Sequence, residues 1–257
     1  MMKLEGRVAV VTAAGSGMGR ESALLFASEG AHVVVADLDG DAAGRTAAEI
    51  AAAGGSAAAE QCDVSSVAEL RALFERVDAD HGVLHVLYAH AGIPGAAGLD
   101  ITEEDFQRSV DVNMKSAFFS TSFGAPLLRK AGGKGSIIYT SSASGLVGSM
   151  YSPLYSMAKG GIVNFTRSVA LALAKDGVRA NALCPGPIDT PMLPLFFGRT
   201  PGTAVDDEMR GFIAAAVPLG RPGTTPEIAA TALWLACDDS SFVTGVALPV
   251  DGGLTAR

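Results

Sequence analysis

Val8-Ala9-Val10-Val11-Thr12-Ala13-Ala14-Gly15-Ser16-Gly17-Met18-Gly19-Arg20 is the stretch from which the rest of the chain is read. A β-prone apolar run passes without a break into a glycine-rich turn, and a helical segment opens near Glu21. Glycines at a strand-to-helix turn let the backbone approach a pyrophosphate, which rests on free N–H groups and the positive end of the helix dipole. Tight turns also use glycine for steric reasons alone, so context decides. The next apolar run ends in Ala36-Asp37-Leu38-Asp39, which puts an acid eighteen residues after Gly19. A carboxylate there accepts from both adenosine ribose hydroxyls and repels a 2′-phosphate, so the pattern predicts NAD rather than NADP. Ala13, Gly15, Ser16, Gly17, Met18, Gly19, Asp37 and Leu38 are therefore candidate nucleotide-binding residues.

Outward from this turn, short apolar runs alternate with longer amphipathic segments through all 257 residues. Strands are expected at about 7–12, 31–36, 57–61, 84–89, 136–140, 178–184 and 245–250. The alternation predicts an α/β fold, a single-domain Rossmann-type doubly wound sheet of about seven parallel strands with helices on both faces, spanning 1–257. Helices are expected from Ser66 to Ala79, from a capping box at Thr102 and Asp105 to Leu128, and from Pro153 to Lys175. Thr225-Pro226-Glu227 reads as an N-cap, a first-turn proline and a dipole-favoured acid opening a helix to Ala236. The Pro- and Gly-rich stretch from Pro185 to Thr224 breaks the alternation. It is expected to form a substrate lid at about 186–224, with a short helix from Val205 to Ala216.

Composition excludes several classes of function. Net charge is −8, and the basic group Arg129-Lys130 with Lys134 is brief, which argues against nucleic-acid or anionic-membrane partners. Cys62, Cys184 and Cys237 are odd in number and widely spaced, against a disulfide framework or a zinc site. The first eleven residues lack a signal-peptide pattern and no run is long enough to span a bilayer, so a cytoplasmic protein without bound metal is expected.

Three further clusters carry chemistry. Asp63-Val64, after the third strand, would reach the adenine, though Asp63 equally suits a helix cap. His90-Ala91-Gly92 ends the fourth strand with small residues where a ligand presses on the backbone. Tyr155 and Lys159, four residues apart on one helix, stack on one face, and the lysine charge favours the phenolate. A Tyr and a Lys at that spacing are common surface residues; the rest of the chain gives the pair its meaning.

Taken together these motifs resemble the short-chain dehydrogenase/reductase family over essentially the whole chain. Thr12 to Gly19 follows T-G-x-x-x-G-x-G with Ala13 at the first glycine, and His90-Ala91-Gly92 follows N-x-A-G with a histidine at the asparagine. Asn113, Ser142, the pair Tyr155 and Lys159, and Pro185-Gly186-Pro187-Ile188-Asp189-Thr190 match further family elements in order. The resemblance implies that Ser142 hydrogen-bonds the substrate oxygen, that Tyr155 exchanges its proton and that Lys159 also binds the nicotinamide ribose. It also implies that Asn113 holds a water joined to Lys159, that Pro185, Gly186, Ile188 and Thr190 close over the nicotinamide, and that the enzyme is a homotetramer. Ala13 is expected at negative φ. His90 is expected to keep the structural hydrogen bonds in its neutral form.

Beyond the nicotinamide, Ser144, Tyr151, Met192, Leu193 and Phe196 are the candidate substrate residues, in a lid segment with no arginine before Arg199. This predicts a largely apolar, medium-sized secondary alcohol or ketone, a small molecule. Alternatives are an NADPH-dependent 3-ketoacyl-carrier-protein-type reductase and a non-catalytic nucleotide-binding protein of the same fold.

Overall fold

The structure is a computed structural model that describes residues 2–198 and 206–256, with the side chain of Phe197 outside the description. Seven parallel strands are joined by helices: β1 Val8–Thr12, β2 His32–Asp37, β3 Ser56–Gln61, β4 Val86–Ala89, β5 Ser136–Thr140, β6 Arg179–Pro185 and β7 Ala247–Val250. Their order in the sheet is β3-β2-β1-β4-β5-β6-β7, every neighbouring pair parallel. The central strands β1, β4 and β5 are buried at every position, which is why they read as unbroken apolar runs rather than as alternations. β3 lies at the edge and carries small and polar residues. The order reverses between β1 and β4, so a crevice opens at the carboxyl ends of these two strands.

Helices α1 (Gly17–Ser28), α2 (Gly40–Ala52) and α9 (Thr225–Ala236) cover one face, and α3 (Val67–His81), α5 (Ser116–Arg129) and α6 (Pro153–Leu173) the other. Each face has its own apolar cluster, one around Phe26 and Tyr88, one around Phe74, Tyr139 and Ile162. Among the described residues no helix is long and apolar enough to cross a membrane.

Several boundaries differ from expectation. α1 begins at Gly17, not near Glu21, because Ser16 in extended backbone is already its N-cap. The N-cap of α9 is Thr224 rather than Thr225, since Glu227 returns bonds to the Thr224 amide at 2.8 Å and its hydroxyl at 3.1 Å. The segment from Thr102 to Leu128 is divided into α4 (Glu103–Val110), a π turn at Asp111–Lys115 and α5. The helix expected to reach Lys175 ends at Leu173 and tightens into a 3₁₀ turn. In the 186–224 segment, α7 (Leu195–Gly198) and α8 (Asp207–Ala216) are short, and Leu193, Met209, Ile213 and Val217 form a small core of their own. The expected helix start at Val205, and Arg199, lie outside the described residues.

Candidate active site

The turn after β1 is a point of close approach. A Cβ on Gly19 would run into the Ala13 carbonyl oxygen and come 2.9 Å from the His90 ring, so α1 can press on this turn only with glycine there. The Gly15 amide donates to one Asp37 carboxylate oxygen at 2.8 Å and the Asp39 amide to the other at 3.0 Å. Asp37 is thereby brought beside the turn from the end of the neighbouring strand, while Leu38 points outward and is exposed. Ser16 makes no side-chain cap bond, which leaves the first N–H groups of α1 to an anion. Glycine gaps, uncapped helix amides and a carboxylate one strand away fit a dinucleotide.

Ala13 stands at φ 53, against the negative φ expected of it. Two constraints act across it. The Ala14 amide must reach the Ala36 carbonyl at 3.1 Å, and Thr12 is held by the His90 and Ala91 amides at 3.0 and 3.1 Å. The turn therefore reverses at once, and a left-handed alanine costs about 1–2 kcal/mol.

Asp63 turns one carboxylate oxygen back to the amide and hydroxyl of Ser65, at 2.8 and 2.7 Å, and so shapes the entry to α3; Val64 packs on the core. His90 does hold the central strands together. Its amide donates to Thr12 on β1 and its Nδ1 lies 2.7 Å from the Thr140 hydroxyl on β5. Burial, reinforced by the Lys159 charge, lowers its pKa to about 3, so the ring is neutral.

Tyr155 and Lys159 share one buried face of α6, with the ammonium 5.6 Å from the centre of the phenol ring. Lys159 Nζ donates to the Thr140 carbonyl at 2.9 Å, and burial lowers its pKa to about 8. It is therefore charged at neutral pH but close to losing the proton. Ser142, at the end of β5, caps a 3₁₀ turn, Ala143–Gly145, by accepting from the Ser144 amide at 3.1 Å, and its O–H remains a donor. This turn is docked on α6. The Ser141 hydroxyl donates to the Lys159 carbonyl at 2.8 Å, and a Cβ on Gly145 would meet the Lys159 carbonyl group at 2.7 Å.

Asn113 sits in the π turn, and its side chain is committed to protein. Oδ1 accepts from the Ile93 amide at 3.1 Å, and Nδ2 donates to the Ile93 and Ser109 carbonyls at 3.1 Å. It closes the loop after β4. Both it and Lys159 crowd Gly92, where a Cβ would come 2.8 Å from Lys159 Nζ and 2.9 Å from Asn113 Oδ1.

Two cavities meet here. One, of about 210 Å³, lies between Ser142, Ser144 and Tyr155 on one wall and Ile188, Met192, Leu193 and Phe196 on the other. The second, of about 110 Å³, runs along Gly17, His90, Gly92 and Lys159. Tyr155, Thr140, Met18, Thr190 and Met192 border both. Pro185 and Gly186 carry the chain from β6 to this junction. Of the expected substrate residues, Tyr151 is not brought in; it precedes α6 in a turn and is 61% exposed. Leu254 lines the larger cavity, and no motif marked it. The signal that could have found it is Asp251-Gly252-Gly253, a turn sequence that sends the chain back on itself.

Comparison with known proteins agrees with this geometry. A family model described as enoyl-(acyl carrier protein) reductase matches residues 12–255. The chain is 36% identical to cyclohexanol dehydrogenase of Acinetobacter sp. (strain SE19) over 257 residues, covering 99% of this chain and 97% of that protein. It is 37% identical to meso-2,3-butanediol dehydrogenase of Serratia marcescens over 256 residues, covering 99% and 97%. A 7α-hydroxysteroid dehydrogenase, solved with NADH and 7-oxo glycochenodeoxycholic acid, superposes with a TM-score of 0.91 at 32% identity over 98% of this chain and 95% of that one. With the ordered motifs, the sheet and these full-length likenesses in agreement, the chain belongs to the short-chain dehydrogenase/reductase family.

Proposed function

We propose that the protein is an NAD(H)-dependent oxidoreductase of secondary alcohols and ketones, and that its substrate is compact and largely apolar. The observation that carries this reading is the shared border of the two cavities at Tyr155, which puts one phenol in reach of both a nucleotide groove and an apolar pocket. Bound nicotinamide supplies the hydride chemistry. Ser142 donates a hydrogen bond to the substrate oxygen and fixes its position. Tyr155 takes the hydroxyl proton in oxidation and returns it in reduction. The Lys159 ammonium, steered by the Thr140 carbonyl, favours proton loss from the phenol. Lys159 begins the path by which that proton leaves, and Asn113 holds the loop beside it closed through Ile93. Gly15 to Gly19 hold the pyrophosphate, Asp37 the adenosine ribose, Asp63 and Val64 the adenine side, and Ile188 and Thr190 the nicotinamide end.

Asp37 supports NAD over NADP, because a 2′-phosphate would meet a carboxylate already facing the glycine turn. The cavity, smaller than the roughly 300–1,000 Å³ usual for drug-sized ligands, suits a single ring or short chain. Cyclohexanol and 2,3-butanediol, named for two relatives, are of this size.

The whole chain acts as one catalytic domain, and Phe118, Met157 and Leu171, exposed on α5 and α6, support a homotetramer. Cys62, Cys184 and Cys237 are free and buried, which suits the reducing cytoplasm. An NAD⁺-reduction screen over secondary alcohols, with Tyr155→Phe as control, tests the reaction. Dissociation constants for NADH and NADPH test the cofactor, and tighter NADPH binding would reject the choice of NAD.

A further inference from the structure

The C-terminal turn is built into the substrate cavity. Leu254 lines it together with Ser144 of the 3₁₀ turn, although it lies almost seventy places beyond the start of the segment that follows β6. What holds Leu254 there is the carboxylate of Asp251, the residue following β7. One oxygen accepts from the Gly253 amide at 2.9 Å; the other accepts from the Thr255 amide at 2.9 Å and the Thr255 hydroxyl at 2.6 Å. The Leu254 amide closes the turn by donating to the Asp251 carbonyl at 3.2 Å. Three bonds to one largely buried carboxylate fix four consecutive residues.

The turn is wedged on both sides. A Cβ on Gly186, at the start of the lid, would come 2.8 Å from Asp251 Cα, so that glycine is where the lid leaves the sheet against the turn. At the other end of the lid, a Cβ on Gly252 would come 2.6 Å from Val217, and the Leu219 amide donates to the Gly252 carbonyl at 3.1 Å. The turn therefore touches both ends of the lid and brings one apolar side chain to the cavity that the lid and Ser142 border.

We infer that Leu254 is a specificity-determining residue for the ring or chain of the substrate, and that Asp251 and Thr255 are the positioning residues that hold it. This rests on the reading of the larger cavity as the alcohol site. Leu254 supplies apolar wall to the pocket that Tyr155 also lines. Shortening it leaves the reacting oxygen's partners in place and removes apolar contact from a ring, which costs a bulky substrate more than a small one.

The test compares wild type, Leu254→Ala, Leu254→Met and Thr255→Val on cyclohexanol and 2-propanol with NAD⁺. The ratio of kcat/KM for cyclohexanol to that for 2-propanol is expected to fall about tenfold in Leu254→Ala, to recover in Leu254→Met, and to fall about threefold in Thr255→Val, mainly through KM. A ratio that stays within twofold of wild type in Leu254→Ala overturns the inference. So does an equal loss on both alcohols, since that is the mark of a merely structural residue.

A second arm does not depend on turnover. The dissociation constant of cyclohexanone with NADH present is measured in the Tyr155→Phe background with and without Leu254→Ala, and is expected to rise about tenfold. If wild type oxidises no alcohol while this binding difference is found, the proposed reaction fails and the assignment of Leu254 stands; if alcohols turn over but binding is unchanged, the reverse holds.

Discussion

The wall of the cleft that carries Tyr155 and the wall that carries Phe196 face each other across one cavity, yet they are built in opposite ways. Ser142, Tyr155 and Lys159 stand on the end of a fully buried strand and on a long helix. That strand end and helix are locked together by bonds to the backbone at Lys159 and Thr140, and the missing side chain of Gly145 lets the turn close on the Lys159 carbonyl. Met192, Leu193 and Phe196 hang on a segment of short helices with a four-residue core of its own, whose two ends pair with each other at Ile188 and Gly223 and are bonded to the end of β7 and the turn after it through the Gly186 and Leu219 amides. The two meet where the edge of the Phe196 ring packs against Tyr155 with centroids 5.2 Å apart. The contrast separates two requirements. Proton transfer needs groups held to fractions of an ångström, which only strand and helix backbones supply; selection among apolar substrates needs shape, which a loosely attached apolar segment supplies.

The largest expected effect removes the phenol. Tyr155→Phe keeps the ring that packs on Phe196 and should lower kcat with any secondary alcohol by about 10³-fold. Calorimetry should show NADH binding changed by less than a few-fold; a variant that retains a tenth of the activity would show that Tyr155 is not the proton carrier.

Next in size is Gly145→Ala, which alters no reacting group. The new methyl would press on the Lys159 carbonyl and the Ser141 hydroxyl, so the Ser142 turn has to move off α6. A displacement of about 1 Å should cost kcat about 10²-fold. The lid should not feel it: the cyclohexanol-to-2-propanol selectivity ratio should stay near that of wild type, and a collapse of selectivity would break the division between the walls.

Acid should also act on the fixed part alone. His32, His85 and His90 all have pKa values lowered by burial, His90 to about 3, and no histidine occurs between residues 186 and 224. At His90 the unfolded chain takes up a proton at about 6.5, while the folded chain does so only near pH 3. Stability is therefore complete above about pH 6.5 and falls by about 1.4 kcal/mol per pH unit for His90 as pH drops toward 3. Urea titrations at pH 7 and pH 5 should differ by about 2 kcal/mol from His90 alone. His90→Asn, which does not titrate, should remove that share; an unchanged difference would show that His90 is protonated without penalty.

On the lid, Phe196→Ala should reverse the pattern of Gly145→Ala. Stripping a ring from the apolar side should lower the same selectivity ratio about tenfold while kcat for 2-propanol moves less. Steady-state kinetics on the two alcohols reads this directly.

The same division explains what could be read from residue order. All seven strands and the glycine-rich turn after β1 were legible, because buried parallel strands and glycine turns leave composition signals that do not depend on distant contacts. Tyr155, Lys159, Ser142 and Asn113 were legible as an ordered set. The side-chain bonds of Asn113 to Ile93 were not, because they depend on a π turn that no local pattern announces. Tyr151, expected in the pocket, lies in the turn before α6 and is exposed. Leu254 was invisible for the opposite reason, since tertiary packing alone brings it to the cavity.

The smallest expected effect concerns Ala13, where residue order gave negative φ and the fold imposed φ 53. The strain arises because β1 must end, hand Thr12 to the amides of His90 and Ala91, and return Ala14 to β2 within two residues. Glycine would remove a left-handed penalty of about 1–2 kcal/mol and add back about 0.5–1 kcal/mol of unfolded-chain entropy. Ala13→Gly should therefore gain stability by about 0.5–1 kcal/mol, read as a higher urea midpoint with an unchanged slope. The turn backbone is already held in the conformation that glycine would adopt, so the NADH dissociation constant should change less than twofold. A loss of stability instead would mean that the methyl contributes packing worth more than the strain. A gain in stability accompanied by much weaker NADH binding would mean that alanine rigidifies the turn for its ligand, and the fixed side of the cleft would then owe part of its precision to a strained residue.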